Sequence, residues 1–466
     1  MQRAKRILRW VRLIGLAVTA PALVFLLWSC TSHPLQLPSP DPTGELAQYR
    51  EINPIRNVDI VFVIDDSGSM MEEQANLARN FPLFMDELAG LQGADFQIAS
   101  VSTDLGAGTG TANQGCNVPG GDRGVFCSIR GNDFCARCGV DVTRGRFLRT
   151  VNPNYAGNIR SVFSCMSTFG TGGCGYEHSV GALRNSLLAP ENAGFLREDA
   201  YLAFILITDE DDCSASATST MFGPAIPGQD FSLRCATEAH LCGGMHNTGM
   251  MPVDRPLSEC TVADDGQLLP LGELIADVLK VKKDPNLIIA SGIFGWPLPG
   301  TEATARYQIA GAPNLASRPV CQSMNGSAIP GIRVKKFVES FPNHSIYSIC
   351  QNDFREAMRS IAQKIRVTVG DPCVTAPLVD TNPATPAIDP DCNVLEKRPL
   401  ANGRFEDVVL QQCTAGSTTP CWVVTPQPSC GGGYQIDIDR KGNVPPEGTR
   451  QNIRCLTCLD PQGCRR

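Results

Sequence analysis

The chain has 466 residues, 42% hydrophobic and 19% charged, with 44 Gly, 34 Pro and 21 Cys. Its 40 basic and 47 acidic residues leave a net charge of −7, which argues against nucleic acid or an anionic lipid surface as the partner of the folded part.

In chain order, residues 1–29 carry Arg3, Lys5, Arg6, Arg9 and Arg12 with no acid, then an apolar run from Leu13 to Trp28. Sixteen residues are short for a membrane span, so the pattern predicts a signal peptide. Leu27-Trp28-Ser29-Cys30 resembles a bacterial lipobox, with Trp28 bulkier than is usual there and Cys30 as the residue to be lipidated. This implies an exported chain that meets the membrane through a lipid anchor in the cell envelope, with the outer membrane the first expectation. Five of the 40 basic residues fall in the leader, so the mature chain carries 35 against 47 acids, a charge of −12. Residues 30–54 contain Pro34, Pro38, Pro40 and Pro42 with little apolar periodicity, and read as a stiff tether.

Residues 55–370 alternate between strand-like and helix-like segments. The continuous apolar runs Val58–Ile64, Phe96–Val101, Tyr201–Ile207 and Leu287–Phe294 suit buried parallel strands. Helical spacing appears at Leu77, Phe81, Phe84 and Leu88, at Val180, Leu183 and Leu187, at Leu271, Leu274 and Val278, and at Phe354, Met358, Ile361 and Ile365. Strand–helix alternation predicts an α/β fold with a doubly wound, mostly parallel sheet. The excess length falls in three Gly/Cys/Pro-rich insertions near 104–160, 210–262 and 296–333. A second Pro-rich stretch, 371–390, reads as a linker, and 391–466 as a small Cys-rich β module.

With Cys30 set aside, 20 cysteines remain, twelve between Cys116 and Cys350 and eight between Cys373 and Cys464. Two even sets behind an export signal predict an oxidising compartment and two separately closed disulfide frameworks, with pairing left open. The Cys135-x-x-Cys138 and Cys455-x-x-Cys458 pairs are the places where zinc or redox chemistry would compete with that reading.

The first strand runs into Asp65-x-Ser67-x-Ser69, one carboxylate and two hydroxyls on a turn at the sheet's carboxyl edge, where open α/β sheets bind ligands. Hard oxygen donors of this kind suit a divalent cation. The segment resembles the metal-ion-dependent adhesion site of the von Willebrand factor type A domain, whose first strand ends in the same Asp-x-Ser-x-Ser. The run Tyr201–Ile207 enters Thr208-Asp209, similar to the family's later strand whose Asp reaches the metal, so the resemblance implies Asp65, Ser67, Ser69 and Asp209 as cation ligands. The family's remaining ligand is a Thr before the third helix. Here the loop Thr168 to His178 offers Thr171 when aligned on its glycines and Glu177 when aligned on the helix, and both stay candidates. With the lipobox and Cys-rich tail, the chain looks like large type A lipoproteins of myxobacteria-like Gram-negative cells. The resemblance implies Mg²⁺, or Ca²⁺ or Mn²⁺, and a protein or other acidic ligand whose carboxylate completes the coordination. A structural envelope role and a metal-assisted hydrolase with Glu177 or His178 as base are the alternatives.

Other motifs weigh less. Glu72 and Glu73 stand where a second cation could be held, but acids in a first helical turn also complement the dipole. His240, Cys242, Met245, His246, Met250 and Met251 would suit copper if they converged. Adjacent Glu210, Asp211 and Asp212 have no partner visible in the sequence. Gly-x-Ser-x-Gly, Ser-x-x-Lys and His-Glu-x-x-His are all missing, so no catalytic residue is named and the odds move from enzyme toward binding.

Overall fold

The computed structural model describes residues 47–458 apart from 53–56, 89–93, 109–115, 117, 130–131, 199, 224–230, 247–251, 312–314, 325, 370–372, 375, 401–403, 428–432 and 444–448. The leader, Cys30 and the first part of the tether lie outside the described residues, among which no helix is long and apolar enough to cross a membrane.

Six strands form the central sheet: β1 (Asn57–Ile64), β2 (Phe96–Ser102), β3 (Leu148–Arg149), β4 (Ala200–Thr208), β5 (Ile288–Phe294) and β6 (Asn343–Ser348). Their order is β6-β5-β4-β1-β2-β3, and only the two-residue β3 runs antiparallel to its neighbour. The alternation of β1 explains its burial on both faces. Val58, Ile60, Phe62 and Ile64 pack among α1 (Met71–Leu88), α2 (Ile159–Met166) and α7 (Arg355–Val369). Val61 and Val63 pack among α3 (Ser179–Leu188), α5 (Leu271–Leu279) and α6 (Ile332–Glu339), while α4 (Phe231–Ala239) belongs to the second insertion. The fold is therefore a doubly wound α/β sheet. All four predicted apolar runs are central strands, and all four predicted helical spacings are helices.

The sheet's order reverses at the β1–β4 junction, where the carboxyl ends of these strands bring Asp65 and Asp209 to the same edge. The junction is tight: the Asp65 amide donates to the Ile207 carbonyl at 3.0 Å.

All twelve cysteines from Cys116 to Cys350 are paired, as 116–174, 127–135, 138–165, 213–235, 242–260 and 321–350. Cys135 and Cys138 thus have separate partners. In the tail, Cys392 pairs with Cys455 and Cys413 with Cys421, so the second Cys-x-x-Cys is not a bonded or metal-binding pair either.

The C-terminal module is a seven-stranded sheet, and one of its strands comes from the other side of the α/β domain. Ala47–Ile52, read from sequence as tether, pairs antiparallel with Arg450–Cys458 over its whole length. The linker reading of 371–390 also needs correction. Cys373–Val374 pairs with Tyr434–Gln435, and Val374 and Leu378 are buried in the module's core beside Trp422 and Ile453. Both segments lack the apolar periodicity of a strand because each is completed by pairing with residues far along the chain.

Candidate functional site

The turn after β1 holds Asp65 by its own neighbours. Asp65 Oδ1 accepts the Ser67 amide at 2.8 Å, and Oδ2 accepts the Thr208 hydroxyl at 2.7 Å. Ser67 and Ser69 place their hydroxyls 3.3 Å apart; Ser67 is buried, whereas Gly68 and Ser69 face solvent. Gln74, from the first turns of α1, donates to the Asp65 carbonyl at 2.7 Å and to the Gly170 carbonyl at 2.9 Å. It also accepts the Gly170 amide at 3.0 Å, so one amide side chain fastens the turn to the loop before α3. Gly173 closes the same seam, its amide reaching the Asp66 carbonyl at 2.8 Å. A Cβ on Gly173 would collide with the Asp66 carboxylate, which is why a glycine stands there.

That loop brings Glu177 inside. Glu177 is fully buried; no amide or hydroxyl donates to its carboxylate oxygens, and its carboxyl meets that of Glu210. Burial first, then the negative charges of Glu210, Asp65 and Asp209, drive its pKa well above the carboxylate range. Asp209 is 4% exposed and its Oδ1 is likewise without a donor; burial first, then Asp65 and Glu210, raise its pKa strongly, against a stabilising Ser69 hydroxyl. Asp65 is raised by burial but held back by its bonds from Ser67 and Thr208. Thr171 is half-buried on the rim, and no hydrogen bond joins it to the other candidates among the described residues. The structure therefore brings Asp65, Ser67, Ser69, Asp209 and Glu177 together and leaves Thr171 at the edge. Among the described residues no three His, Cys, Asp or Glu side chains close into a metal cluster.

The acidic run after Asp209 divides its labour. Asp211 accepts the amides of Arg333 at 2.9 Å and Val334 at 3.0 Å, capping α6, and meets His240 Nε2 at 2.6 Å. Asp212 accepts the Val180 amide at 2.9 Å at the start of α3 and pairs with the fully buried Arg333 at 2.9 Å. Two helix N-termini and one guanidinium thus hold these charges, the arrangement that partial positive helix ends favour. An acid does serve the start of α3, but it is Asp212 with Ser214, not Glu177. Sequence reasoning missed Gln74, Thr208 and Arg333 as parts of this assembly. Arg333 lies 121 residues from Asp212, and no local pattern announces the pair.

The remaining candidates disperse. His240 also bonds Tyr307, Cys242 is in a disulfide and exposed His246 pairs with Asp265, so these three are engaged separately, while Met250 and Met251 lie outside the described residues. His178 gives Nε2 to the Gly106 carbonyl at 2.9 Å and packs near Phe222; burial lowers its pKa. Glu73 is buried in α1 and its pKa is pushed up to about 7, by burial first and then by Glu72 and Asp65.

No protein-family model matches the sequence, and no curated protein matches it. Among solved structures the chain is similar to a von Willebrand factor type A protein from Catenulispora acidiphila, at 10% identity over 89% of this chain and 66% of that one, with a TM-score of 0.28. It is similar to BatB from Bacteroides thetaiotaomicron, at 11% identity over 67% and 98%, with a TM-score of 0.25. The pilus adhesin SpaC from Lactobacillus rhamnosus GG, in its open conformation, matches at 11% identity over 88% of this chain and 40% of its own, with a TM-score of 0.30. Scores this low carry no argument by themselves. The strand order and the two helical layers establish the architecture.

Proposed function

We propose that the chain is a lipid-anchored binding protein of the cell envelope that recruits its partner through a divalent cation. The observation that supports this reading is the buried Glu177 carboxyl, which no amide or hydroxyl reaches and which is gathered with Glu210, Asp65 and Asp209 at the sheet's switch point. Burial and mutual repulsion drive protons onto these acids, and a divalent cation taking the place of those protons would relieve the same repulsion. Ser67, Ser69 and Glu177 would hold the ion, with Asp65 and Asp209 in support. The ion would supply a positive centre for a partner's carboxylate, reached from the exposed Gly68–Ser69 side. Oxygen donors only, with no imidazole or thiolate, fit Mg²⁺ or Ca²⁺ rather than a soft metal. The disulfides suit an oxidising compartment outside the cytoplasm, and the lipobox-like Cys30 supplies the anchor. Titration calorimetry with Mg²⁺ and Ca²⁺ should show one site that disappears in Asp209→Ala and Asp65→Ala while circular dichroism stays native. Unchanged cation binding in both variants would remove the assignment, and a Cys30→Ser protein that still sediments with membranes would remove the anchor.

A further inference from the structure

The charge of this chain is unevenly spread. Residues 121–160, in the first insertion, hold seven Arg and three Asp with no Lys, Glu or His, a local charge of +4. The whole chain carries −7, so the other residues carry −11. The segment includes the edge strand β3 and is tied down by the disulfides Cys127–Cys135 and Cys138–Cys165. One buried side chain gathers its arginines. Asn154 donates to the carbonyls of Gly145 at 3.2 Å and Phe147 at 2.8 Å and accepts the Arg149 amide at 3.2 Å, so residues 145–149 curl around it. Arg144, at the start of this loop, donates to the carbonyls of Asn152 at 3.0 Å and Pro153 at 2.9 Å, directly before Asn154. Arg146, in its middle, forks onto Asp133 at 3.2 and 3.4 Å. Asp133 caps the single-turn helix Phe134–Arg137, whose last residue is Arg137.

Arg123, Arg146 and Arg160 pair with Glu191, Asp133 and Asp86, but among the described residues no acid pairs with Arg137, Arg144 or Arg149. Two of these three are laid on rings instead: the guanidinium carbon of Arg137 is 5.4 Å from the centre of Phe134, and that of Arg149 is 5.1 Å from the centre of Phe147. Arg149 Nε is covered and finds no acceptor in the protein. Guanidiniums supported by ring faces and carbonyls keep their full charge, and Arg137 and Arg144 keep it at an exposed surface.

We propose that this loop and helix end are a docking surface for an anionic polysaccharide. Every cation of the segment is Arg, whose planar fork matches the paired oxygens of carboxylate and sulfate groups. The three unpaired charges stand on separate supports, which suits a ligand that repeats its charge at intervals. A bilayer or a rigid duplex would press further anionic groups against the −11 of the surrounding protein, whereas a thin flexible chain avoids them. Single-stranded nucleic acid stacks its bases on exposed rings, and Phe134 and Phe147 are buried. A protein partner is anchored by apolar and aromatic side chains, and among its described residues the segment exposes one large apolar residue, Val151. The inference stands apart from the cation reading, which it does not use.

The test uses the full chain in interferometry against heparin, carboxylate-only alginate and neutral dextran. Heparin or alginate should bind, the tighter of the two naming the preferred anionic group; dextran should not bind, and added salt should weaken the complex. Arg137→Gln with Arg144→Gln and Arg149→Gln should weaken the bound polymer by about tenfold, the scale of three exposed charged contacts, and Lys at the same positions should recover part of it. If the triple variant melts lower, Arg137→Gln alone carries the comparison, since among the described residues that side chain holds no backbone group. Arg255→Gln with Arg306→Gln and Arg355→Gln makes the same change of net charge at exposed ion pairs elsewhere and should leave binding as in wild type. Failure of both anionic polymers to bind, a triple variant that binds like wild type, or an equal loss in the distant control would overturn the patch. A polyglutamate peptide or a DNA duplex that binds more tightly than both polymers at equal charge would overturn the choice of polysaccharide.

Discussion

Replacing Glu177 by Gln should stabilise the metal-free protein and weaken its response to calcium, two effects of opposite sign from one atom pair. Glu177 is fully buried, no amide or hydroxyl donates to it, and the carboxyl of Glu210 and the charges of Asp65 and Asp209 lie beside it. Neighbouring like charges in a partly buried site cost a few kcal/mol at most before protonation caps the total, because a carboxyl can take a proton at about 1.4 kcal/mol per pH unit. Its pKa in the folded state lies above its unfolded value, so the folded protein holds the extra proton, and the stability this lends is present at low pH and lost as pH rises. The gain from Glu177→Gln is therefore small at pH 5 and grows as pH rises, by at most about 1.4 kcal/mol for each pH unit above the unfolded value, and is read as a pH-dependent rise in melting temperature. Calcium at 100 times its dissociation constant should stabilise the wild type by about 2.7 kcal/mol, and the variant should keep less than half of that increment. The assay is thermal unfolding at pH 5 and pH 8, each with chelator and with Ca²⁺. A variant that melts lower than wild type in chelator, with an intact calcium increment, would refute the reasoning and return the ligand's place to Thr171.

Arg333→Met should cost about 3–5 kcal/mol, since it strands Asp212 in the interior, and should shift chemical denaturation of the α/β domain accordingly. Arg333→Met combined with Asp212→Asn should recover part of that loss; no recovery would mean that the pair is not the origin. Glu73, with its pKa raised to about 7, favours the protonated form in the folded state, so wild-type stability should fall as pH rises from about 4.5 to 7 and flatten above. In Glu73→Gln that component of the slope, on the order of 1–3 kcal/mol, should vanish, and an unchanged pH profile would count against it. Removing residues up to 52 should expose the Arg450–Cys458 edge and loosen the tail sheet, seen as faster hydrogen exchange at Ile453 and Cys455 with β1 and β4 unaffected; unaltered exchange in the tail would mean that the strand contributes nothing.

The parts of this molecule that were legible in the sequence are those whose reason is local. Val58–Ile64 announces a strand buried on both faces because six of its seven residues are apolar, Asp59 being the exception, and Asp65-x-Ser67-x-Ser69 follows within five positions. β6 and α6 escaped detection: Asn343–Ser348 is an edge strand with polar residues, and Ile332–Glu339 carries Arg333, Lys335 and Lys336 in one short helix. The same limit governs the acids after β4. Asp209, Asp211 and Asp212 look alike in sequence, yet one faces the edge of the sheet with its Oδ1 undonated and two serve as caps. What separates them is the partner that arrives: amides and a guanidinium from α6 for two of them, and the Ser69 hydroxyl amid the charges of Asp65 and Glu210 for the third. Two acids neutralised by scaffold fix the loop, and the disulfide Cys213–Cys235 holds it just beyond. The third is thereby kept at the sheet edge, where the Ser69 hydroxyl works against burial and the crowding of Asp65 and Glu210.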